Sequence, residues 1–438
     1  MTPQTPAGRF ATAEIIAVGS EMLTPYKVDT NSLVVTARLD ELGIQVRAKT
    51  VVGDDRGDLT AVFVQARARV DLLVLTGGLG PTADDLTREV VAAVLGRPLV
   101  EDLAILESIR RRFASRGLRM PDVNRKQALV PQGATPVPNP NGTAPGIWMD
   151  EGDRGVLLLP GPPRELEPMM ERFAREVLAG RAGEARLHRR VLKITGRTES
   201  QVEELTLPIY SRWQHPDPPV ATTILATPGQ VELHLSARSR VAAAATERLA
   251  GCVAEVSAVL GADIFSADGR ALEEVVGELL RERGLSIAVA ESCTGGLITS
   301  RLTDVAGSSA YVRAGVVGYG NAAKIDLVGV PASLIDEHGA VSEPVALAMA
   351  EGAGARTGAA IGVGVTGIAG PGGATPEKPV GTVAVAVAGP QAARRVRTYR
   401  FPGGRALVKF QASQAALDQV RRAILESETK ERGMRNEE

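Results

Sequence analysis

Cysteine is almost missing from this chain: Cys252 and Cys293 are the two in 438 residues. Two thiols build neither a disulfide framework nor a thiolate zinc site, so a reducing, cytoplasmic setting is expected. Aromatic residues make up 3%, too few for the stacking platforms that grip single-stranded nucleic acid. An excess of one charge is missing as well. Lysine and arginine number 50 against 51 aspartates and glutamates, which counts against DNA or RNA as the main partner. No apolar run reaches the roughly 18 residues of a spanning helix, and the opening MTPQTPAGRF has no apolar leader core. A soluble protein with no membrane partner is expected. No tandem repeat of fixed period is visible.

What the chain does have is 47 glycines among many alanines, valines and leucines. That composition suits close helix-on-sheet packing with tight turns, in a chain long enough for two or three domains. Residues 1–178 alternate strand-like and helix-like patterns. EIIAVGSEML offers a strand from Glu14 to Val18, and TNSLVVTARLDELG a helix with Leu33, Val34, Ala37, Leu39 and Leu42 at helical spacing, Thr30 or Asn31 as cap and Gly43 as stop. RAKTVVG with DLTAVFVQARARV, then DLLVLT with the helix after GGLGPTADD, repeat the form, as does VLLLPGPPREL with its following helix. Such alternation predicts a parallel sheet with its ligand site at the strand carboxyl ends. Residues 179–264 read as a small α+β connector: short strands in HRRVLKITG, PPVATTILAT and QVELHLSAR, then an alanine-rich helix. Residues 265–430 return to α/β, with strands in LSIAVAE, YVRAGVVGYG, AAIGVGVTGIAG, GTVAVAVAG and RRVRTYRF, and a last helix from Arg405 to Ser427. Residues 431–438 form a charged tail expected to fray.

The chemistry concentrates in AESCTGG, residues 290–296, where Ser292, Cys293 and Thr294 stand between a strand and two glycines. Backbone amides of such a turn suit a phosphate or an oxyanion, and a capped helix start would look the same. Two further small-residue turns, GSS at 307–309 and TGIAGPGG at 366–373, are expected at the same sheet edge, together forming a pocket. A nucleophile needs a base. His188, His215 and His234 precede the domain and His338 lies in a polar stretch, so Lys324 in GYGNAAKIDL is the better candidate once burial lowers its pKa; a surface lysine at a helix start is the plainer reading. Tyr319, five residues before it, could bridge a proton or polarise a carbonyl. A thiolate at Cys293 is a rival nucleophile, though no histidine stands near to pair with it. Thr294 reads as a cap or binding hydroxyl.

In the first domain, GGLGPTADDLT sets Asp84 and Asp85 at a helix start behind a glycine turn. Paired carboxylates there could hold a divalent ion (Mg, Mn or Co) against pyrophosphate oxygens; a helix dipole alone would account for one of them.

ESCTGG, GSS with YVRAGVVGYGNAAK, HGAVSEPVALAMAEGA and VTGIAGPGGATPEKPVGTV together resemble the CinA carboxy-terminal domain. GSEML with VDTNS, TGGLGPTADDLT, PNPNGTAPG and LPGPPREL are similar to the amino-terminal CinA half, so the resemblance spans essentially the whole chain. It implies a MoaB/MogA-like, molybdopterin-binding three-layer α/β domain, a KH-type connector and an α/β nicotinamide mononucleotide deamidase that needs no cofactor. It implies Ser292 as nucleophile, Lys324 as base and Tyr319 as assisting hydroxyl, with Thr294, Gly295, Ser309, Thr366 and Gly367 lining the substrate and Arg405 or backbone amides meeting its phosphate. In the first domain it implies a site of Gly19, Glu21, Asp29, Asn31, Gly78 and Thr82 with Asp84 and Asp85 on a metal, matching relatives with ADP-ribose pyrophosphatase activity. Here the loop MLTPYKVDTN departs from the family pattern: Thr24, Pro25 and Tyr26 are bulkier than the usual glycine. No Gly-x-x-Gly loop with basic neighbours occurs between 181 and 262, so the connector is expected to space or dimerise the protein, as a homodimer, rather than bind RNA. The alternative expectation is a ligand-binding regulatory protein of the competence and DNA-damage response with inactive sites.

Overall fold

The structure is a computed structural model that describes residues 10–215, 217–389 and 394–436. The chain divides into two compact units, residues 1–188 with 238–245 and residues 189–237 with 246–438.

The first unit carries the strands β1 (Thr12–Val18), β2 (Gln45–Val52), β3 (Leu72–Thr76), β4 (Leu99–Glu101), β5 (Leu129–Pro131), β6 (Thr135–Val137), β7 (Gly146–Asp150) and β8 (Gly155–Leu159). Six of them form a sheet in the order β2-β1-β3-β8-β7-β6, while β4 and β5 pair apart. β2, β1, β3 and β8 run parallel, and β7 and β6 join antiparallel. The helices are α1 (Asn31–Glu41), α2 (Arg56–Arg67), α3 (Thr87–Val94), α4 (Leu103–Ala114) and α5 (Pro163–Phe173), which continues through a π-helical stretch into the short α6 (Ala179–Arg181). Alternation along β1 sorts the core into two faces. Ala13 and Ile15 pack with Leu39, Met170 and Phe173 on one side; Ile16 and Val18 pack with Leu59, Phe63 and Val90 on the other. That is the three-layer arrangement that β/α alternation demands.

One expectation fails in detail. In α1 the buried stripe is Asn31, Ser32, Val35 and Leu39, whereas Leu33 is 61% exposed. The buried face begins at the polar end of the helix because Asn31 turns inward to a carbonyl on the α5 side, and Val35 and Leu39 follow at i+4 and i+8.

The connector holds β9 (Arg186–Ile194), α7 (Glu199–Tyr210), β10 (Val220–Thr227), β11 (Gln230–Ser239), α8 (Ala242–Leu260) and β12 (Ile264–Ser266), with strand order β10-β11-β9-β12. α7 is absent from the sequence reading, although its start is written in the chain: Thr198 and Gln201 make a reciprocal capping box.

The last domain runs α9 (Leu272–Glu282), β13 (Ile287–Glu291), α10 (Leu297–Asp304), β14 (Val312–Val317), α11 (Asn321–Val328), α12 (Ala332–His338), α13 (Glu343–Thr357), β15 (Ile361–Gly367), β16 (Thr382–Ala388), β17 (Arg395–Arg400) and α14 (Arg405–Asn436). Its sheet order is β14-β13-β15-β16-β17; β14, β13 and β15 are parallel, β16 and β17 antiparallel. Ile287 and Val289 face α9 and α14 through Val276, Leu280 and Leu417, whereas Ala288 and Ala290 face α13 through Val345 and Met349. The glycines of GVGVTG explain how α13 sits so close. A Cβ on Gly362 would lie 1.9 Å from the Ala350 carbonyl oxygen, and one on Gly364 2.0 Å from that of Ala346. α14 extends to Asn436, so a helix occupies most of the expected tail.

No described helix is long and apolar enough to cross a membrane.

Candidate active site

β13 ends at Glu291, whose register partners are Val317 on β14 and Val365 on β15. The ESCTGG turn therefore leaves the sheet at the carboxyl edge between two parallel neighbours, where α/β sheets place ligands. Ser292 N donates to Val365 O at 2.9 Å and Gly295 N to Ser292 O at 3.1 Å. Gly295 and Gly296 adopt φ of 63° and 91°, a left-handed pair that other residues would hold only with strain. The amides of Ile298 and Thr299, in the first turn of α10, are not free for a ligand phosphate. The fully buried Glu291 accepts from Ile298 N at 3.1 Å, Thr299 N at 2.9 Å and Thr299 Oγ1 at 2.8 Å, which corrects the expectation that these amides would meet an anion.

The three side chains of the turn have separate fates. Ser292 Oγ lies 3.1 Å from Lys324 Nζ. Cys293 is buried, and burial pushes its thiol up to about 12, so it is not a thiolate near neutral pH. Thr294 is fully buried, and its hydroxyl has no hydrogen-bond partner among the described residues. Lys324 sits on the first turn of α11 with 2% exposure, and burial lowers the pKa of its ammonium. A buried lysine with a depressed pKa beside a serine hydroxyl is an arrangement that can serve as base and nucleophile.

Around that pair the structure distinguishes the remaining candidates. The second partner of Lys324 Nζ is the Tyr319 carbonyl oxygen, at 3.1 Å. The Tyr319 hydroxyl instead accepts from Arg405 Nη2 at 2.7 Å, on a side chain that is 59% exposed. Tyr319 thus meets the base through its backbone, not through the expected phenol. Arg405 also donates from Nη1 to Gly370 O at 2.9 Å, bridging the TGIAGPGG turn to Tyr319. Thr366 and Gly367 follow Val365 at the same edge; Thr366 Oγ1 donates to Ala340 O at 2.7 Å, and a Cβ on Gly367 would meet the Thr382 carbonyl oxygen at 2.8 Å.

Ser309 is misplaced in the sequence reading. It precedes β14, whose first residue pairs with Ile287 at the start of β13, while its last pairs with Glu291. Because the strands are parallel, Ser309 lies at the amino edge, a strand length of about 17 Å from the Ser292 turn. Lys409 escaped the sequence reading altogether: its Nζ lies 3.5 Å from where a Cβ of Gly295 would be. Its signal was its position four residues after Arg405, on the same face of the last helix.

The first unit has a cleft of about 630 Å³ at the carboxyl edge of β1 and β3, lined by Gly19, Glu21, Asp29, Asn31, Gly78, Asp84 and Asp85. Thr24, Pro25 and Tyr26 are not part of its lining, and Tyr26 is 92% exposed, so the bulk of that loop points away from the opening. Asp29 accepts from Ser32 N and Ser32 Oγ, capping α1. Asn31 Nδ2 donates to Gly161 O at 2.7 Å, and its Oδ1 is buried without a partner among the described residues. Asp85 precedes α3 and is consumed locally: its carboxylate accepts from Gly80 N, Thr82 N and Thr82 Oγ1. Asp84 is exposed.

A divalent ion fits this set poorly, because one of the two aspartates already spends its oxygens on the turn. Among the described residues no group of three or more His, Cys, Asp or Glu could hold a metal. The sequence reading passes over two residues that hold this turn and one that builds the cleft wall. Lys126 Nζ donates to Thr82 O at 2.9 Å and Asp85 O at 2.6 Å. Arg88, fully buried, donates to Leu79 O at 3.2 Å. Glu165, buried in the cleft wall, accepts from Asn139 Nδ2 at 2.8 Å.

Comparison with known proteins finds three family matches along the chain. Residues 14–180 match the family described as "Probable molybdopterin binding domain", residues 189–266 the "Damage-inducible protein CinA KH domain", and residues 269–424 the "CinA C-terminal domain". A CinA-like protein of Koribacter versatilis is 46% identical over 420 residues, covering 94% of this chain and 100% of its own. A CinA-like protein of Solibacter usitatus is 43% identical over 413 residues, covering 94% and 98%. The solved competence/damage inducible protein CihA of Agrobacterium tumefaciens is 42% identical over 34% of this chain and 91% of its own, with a TM-score of 0.34. With full-length relatives at this identity, the chain belongs to the CinA family.

Proposed function

We propose that the last domain is a serine amidase that hydrolyses nicotinamide mononucleotide to nicotinate mononucleotide and ammonia. The observation that carries the amidase is the 3.1 Å approach of Ser292 Oγ to the buried Lys324 Nζ; the family resemblance supplies the substrate. Neutral Lys324 takes the Ser292 hydroxyl proton as Oγ attacks the carboxamide carbon. The tetrahedral adduct collapses with cleavage of the C–N bond, and the Lys324 ammonium returns its proton to the departing nitrogen, giving ammonia and a Ser292 ester. Water then attacks the ester, Lys324 accepts the water proton, and the C–O bond breaks with reprotonation of Ser292 Oγ. The test is ammonia release by wild type and by Ser292→Ala, Lys324→Ala and Cys293→Ala. Loss in the first two with retention in the third supports the reading; turnover that survives Ser292→Ala and dies in Cys293→Ala sinks it.

A second reading concerns the first unit. The glycine turn of the cleft suits a phosphate, and the acceptors Asn31 Oδ1 and Asp84 suit the N–H and O–H donors of a pterin or nucleotide. Since Asp85 is committed to its own turn, binding is favoured over ADP-ribose pyrophosphatase chemistry. Release of AMP from ADP-ribose with added manganese, abolished by Asp84→Ala, would reverse that preference.

A further inference from the structure

A line of side-chain hydrogen bonds runs from the connector to the helix that follows the Ser292 turn. Arg301, buried on α10, donates from Nη2 to Glu273 Oε2 on α9 at 2.6 Å and to Gln414 Oε1 on α14 at 2.7 Å. Its Nη1 donates to Ser413 Oγ at 2.7 Å. Gln414, also buried, donates from Nε2 to Gln230 Oε1 at 2.9 Å. Gln230 opens β11, in the same compact unit, and donates in turn from Nε2 to Glu232 Oε1 at 2.9 Å. Both ends of the line are charged, and that fixes the direction of the two carboxamides between them. A guanidinium only donates and an ionised carboxylate only accepts, so Gln414 and Gln230 each turn oxygen toward Arg301 and nitrogen toward Glu232. Bonds aligned in this way polarise one another, so the loss of one member weakens the rest. The hairpin tip is seated for the contact: Gly229 has a φ of 73°, and a Cβ there would lie 3.0 Å from Gln414 Cγ.

The far end of the line reaches the active turn. Arg301 lies one helical turn beyond Ile298, whose amide Glu291 holds at the end of β13. Its guanidinium also sits 5.0 Å over the Phe410 ring, so one side chain pins α10 to α9 and α14 together. Such a buried ion pair is weak evidence for stability; its directional donors instead fix where α10 sits against its neighbours. We infer that the connector hairpin is a positioning element of the last domain's active site: Gln230, acting through Gln414 and Arg301, holds α10 and the Ser292 turn where Ser292 Oγ meets Lys324 Nζ. Gln230 touches no reacting atom, so its effect falls on kcat. The kinetic readout rests on the amidase reading, and the link from hairpin to turn stands apart from it.

The test uses the full chain with Gln230→Met, Gln414→Met and both together, and with Gln230→Glu alone and paired with Glu232→Gln. Methionine keeps the length of glutamine and removes its strong donors and acceptor. With nicotinamide mononucleotide, kcat is expected to fall about 10-fold in each methionine variant with KM within about twofold, and no further in the double variant, because a line broken once is not broken again. The paired exchange leaves Gln414 its acceptor and reverses only the last bond, so kcat should return to within about twofold of wild type, whereas Gln230→Glu alone faces Glu232 and lowers it. An unchanged kcat in Gln230→Met, losses that multiply in the double variant, or a paired exchange no better than Gln230→Glu overturns the inference. Hydrogen exchange reads the link without turnover: in Gln230→Met the amides of Ile298 and Thr299 should exchange about 10-fold faster, with those of β16 within about twofold of wild type. Equal rates at Ile298 and Thr299, or the same acceleration in β16, overturn it. Should wild type release no ammonia, the amidase reading falls and the exchange rates alone decide the link.

Discussion

Glu291 and Thr299 are bonded twice: one carboxylate oxygen of the strand's last residue accepts both the backbone N–H, at 2.9 Å, and the hydroxyl, at 2.8 Å, of Thr299 on α10. The second oxygen takes Ile298 N, so strand and helix are stitched across the turn that bears Ser292. Glu291→Ala would leave two buried amides without acceptors. It is expected to destabilise the domain by about 2–4 kcal/mol and to lower kcat more than it raises KM, since Ser292 adjoins the lost anchor. Glu291→Gln, which keeps one acceptor oxygen, should cost about half as much. Denaturant unfolding combined with steady-state kinetics checks both.

Lys324 has a sign that can be worked out. Burial lowers its pKa from the ordinary 10.5, so between the lowered value and 10.5 the unfolded chain carries a proton that the folded chain lacks. Folding stability therefore rises with pH through that window. Activity should rise below that window, as the folded-state amine loses its proton, so kcat/KM should climb along a single limb and level off above the lowered pKa. Lys324→Met should abolish turnover while raising the unfolding temperature at neutral pH, since the desolvation penalty disappears. A variant that is both inactive and less stable would contradict the burial argument.

Much of this was legible from residue patterns, and the exceptions have physical reasons. The β/α alternation and the glycine turns are short-range signals that point to the turns at 290–296 and 366–373; the choice of Ser292 among its neighbours and of Lys324 over a surface lysine came from the family resemblance. Ser309 failed because a small-residue turn does not say which end of a strand it serves; only the parallel pairing of β14 with β13 does. The hydroxyl of Tyr319 and the carboxylate of Asp85 were named for side-chain chemistry, and both are committed to neighbours: Arg405 in one case, Gly80 and Thr82 in the other. Lys409 lies more than a hundred residues from the turn it approaches, and its spacing from Arg405 gives a helix face without saying which turn that face meets.

Gly364 offers a test of packing rather than chemistry. With the Ala346 carbonyl oxygen 2.0 Å and the Ala350 amide nitrogen 2.7 Å from the site of a Cβ, a side chain can enter only if α13 withdraws from the sheet. Gly364→Val is expected to cost at least about 3 kcal/mol, read as an earlier unfolding transition of the last domain. Because Val365, its neighbour, accepts from Ser292 N, the variant should also lose activity at temperatures where it remains folded.

Asp84 and Asp85, adjacent in sequence, should behave in opposite ways. Asp85 holds Gly80 N, Thr82 N and Thr82 Oγ1, while the turn is pinned from the other side by Lys126 on the carbonyls of Thr82 and Asp85. Asp85→Ala removes the acceptor for all three donors, and a loss of about 1–3 kcal/mol is expected in the first unit, with faster amide exchange at Gly80 and Thr82. Asp84 is exposed and anchors no backbone amide outside its own residue. Asp84→Ala should therefore change stability by no more than about 0.5 kcal/mol and weaken only the binding of a cleft ligand, such as a pterin, whose N–H or O–H groups that carboxylate accepts from. If Asp84→Ala destabilised the unit as much as Asp85→Ala, the division between a structural and a ligand-facing carboxylate would be wrong. Titration with manganese alone adds a separate measure: with one aspartate consumed by the turn, the unliganded protein should show no submillimolar site, and a tight site lost in Asp85→Ala would mean that the turn opens to receive the ion.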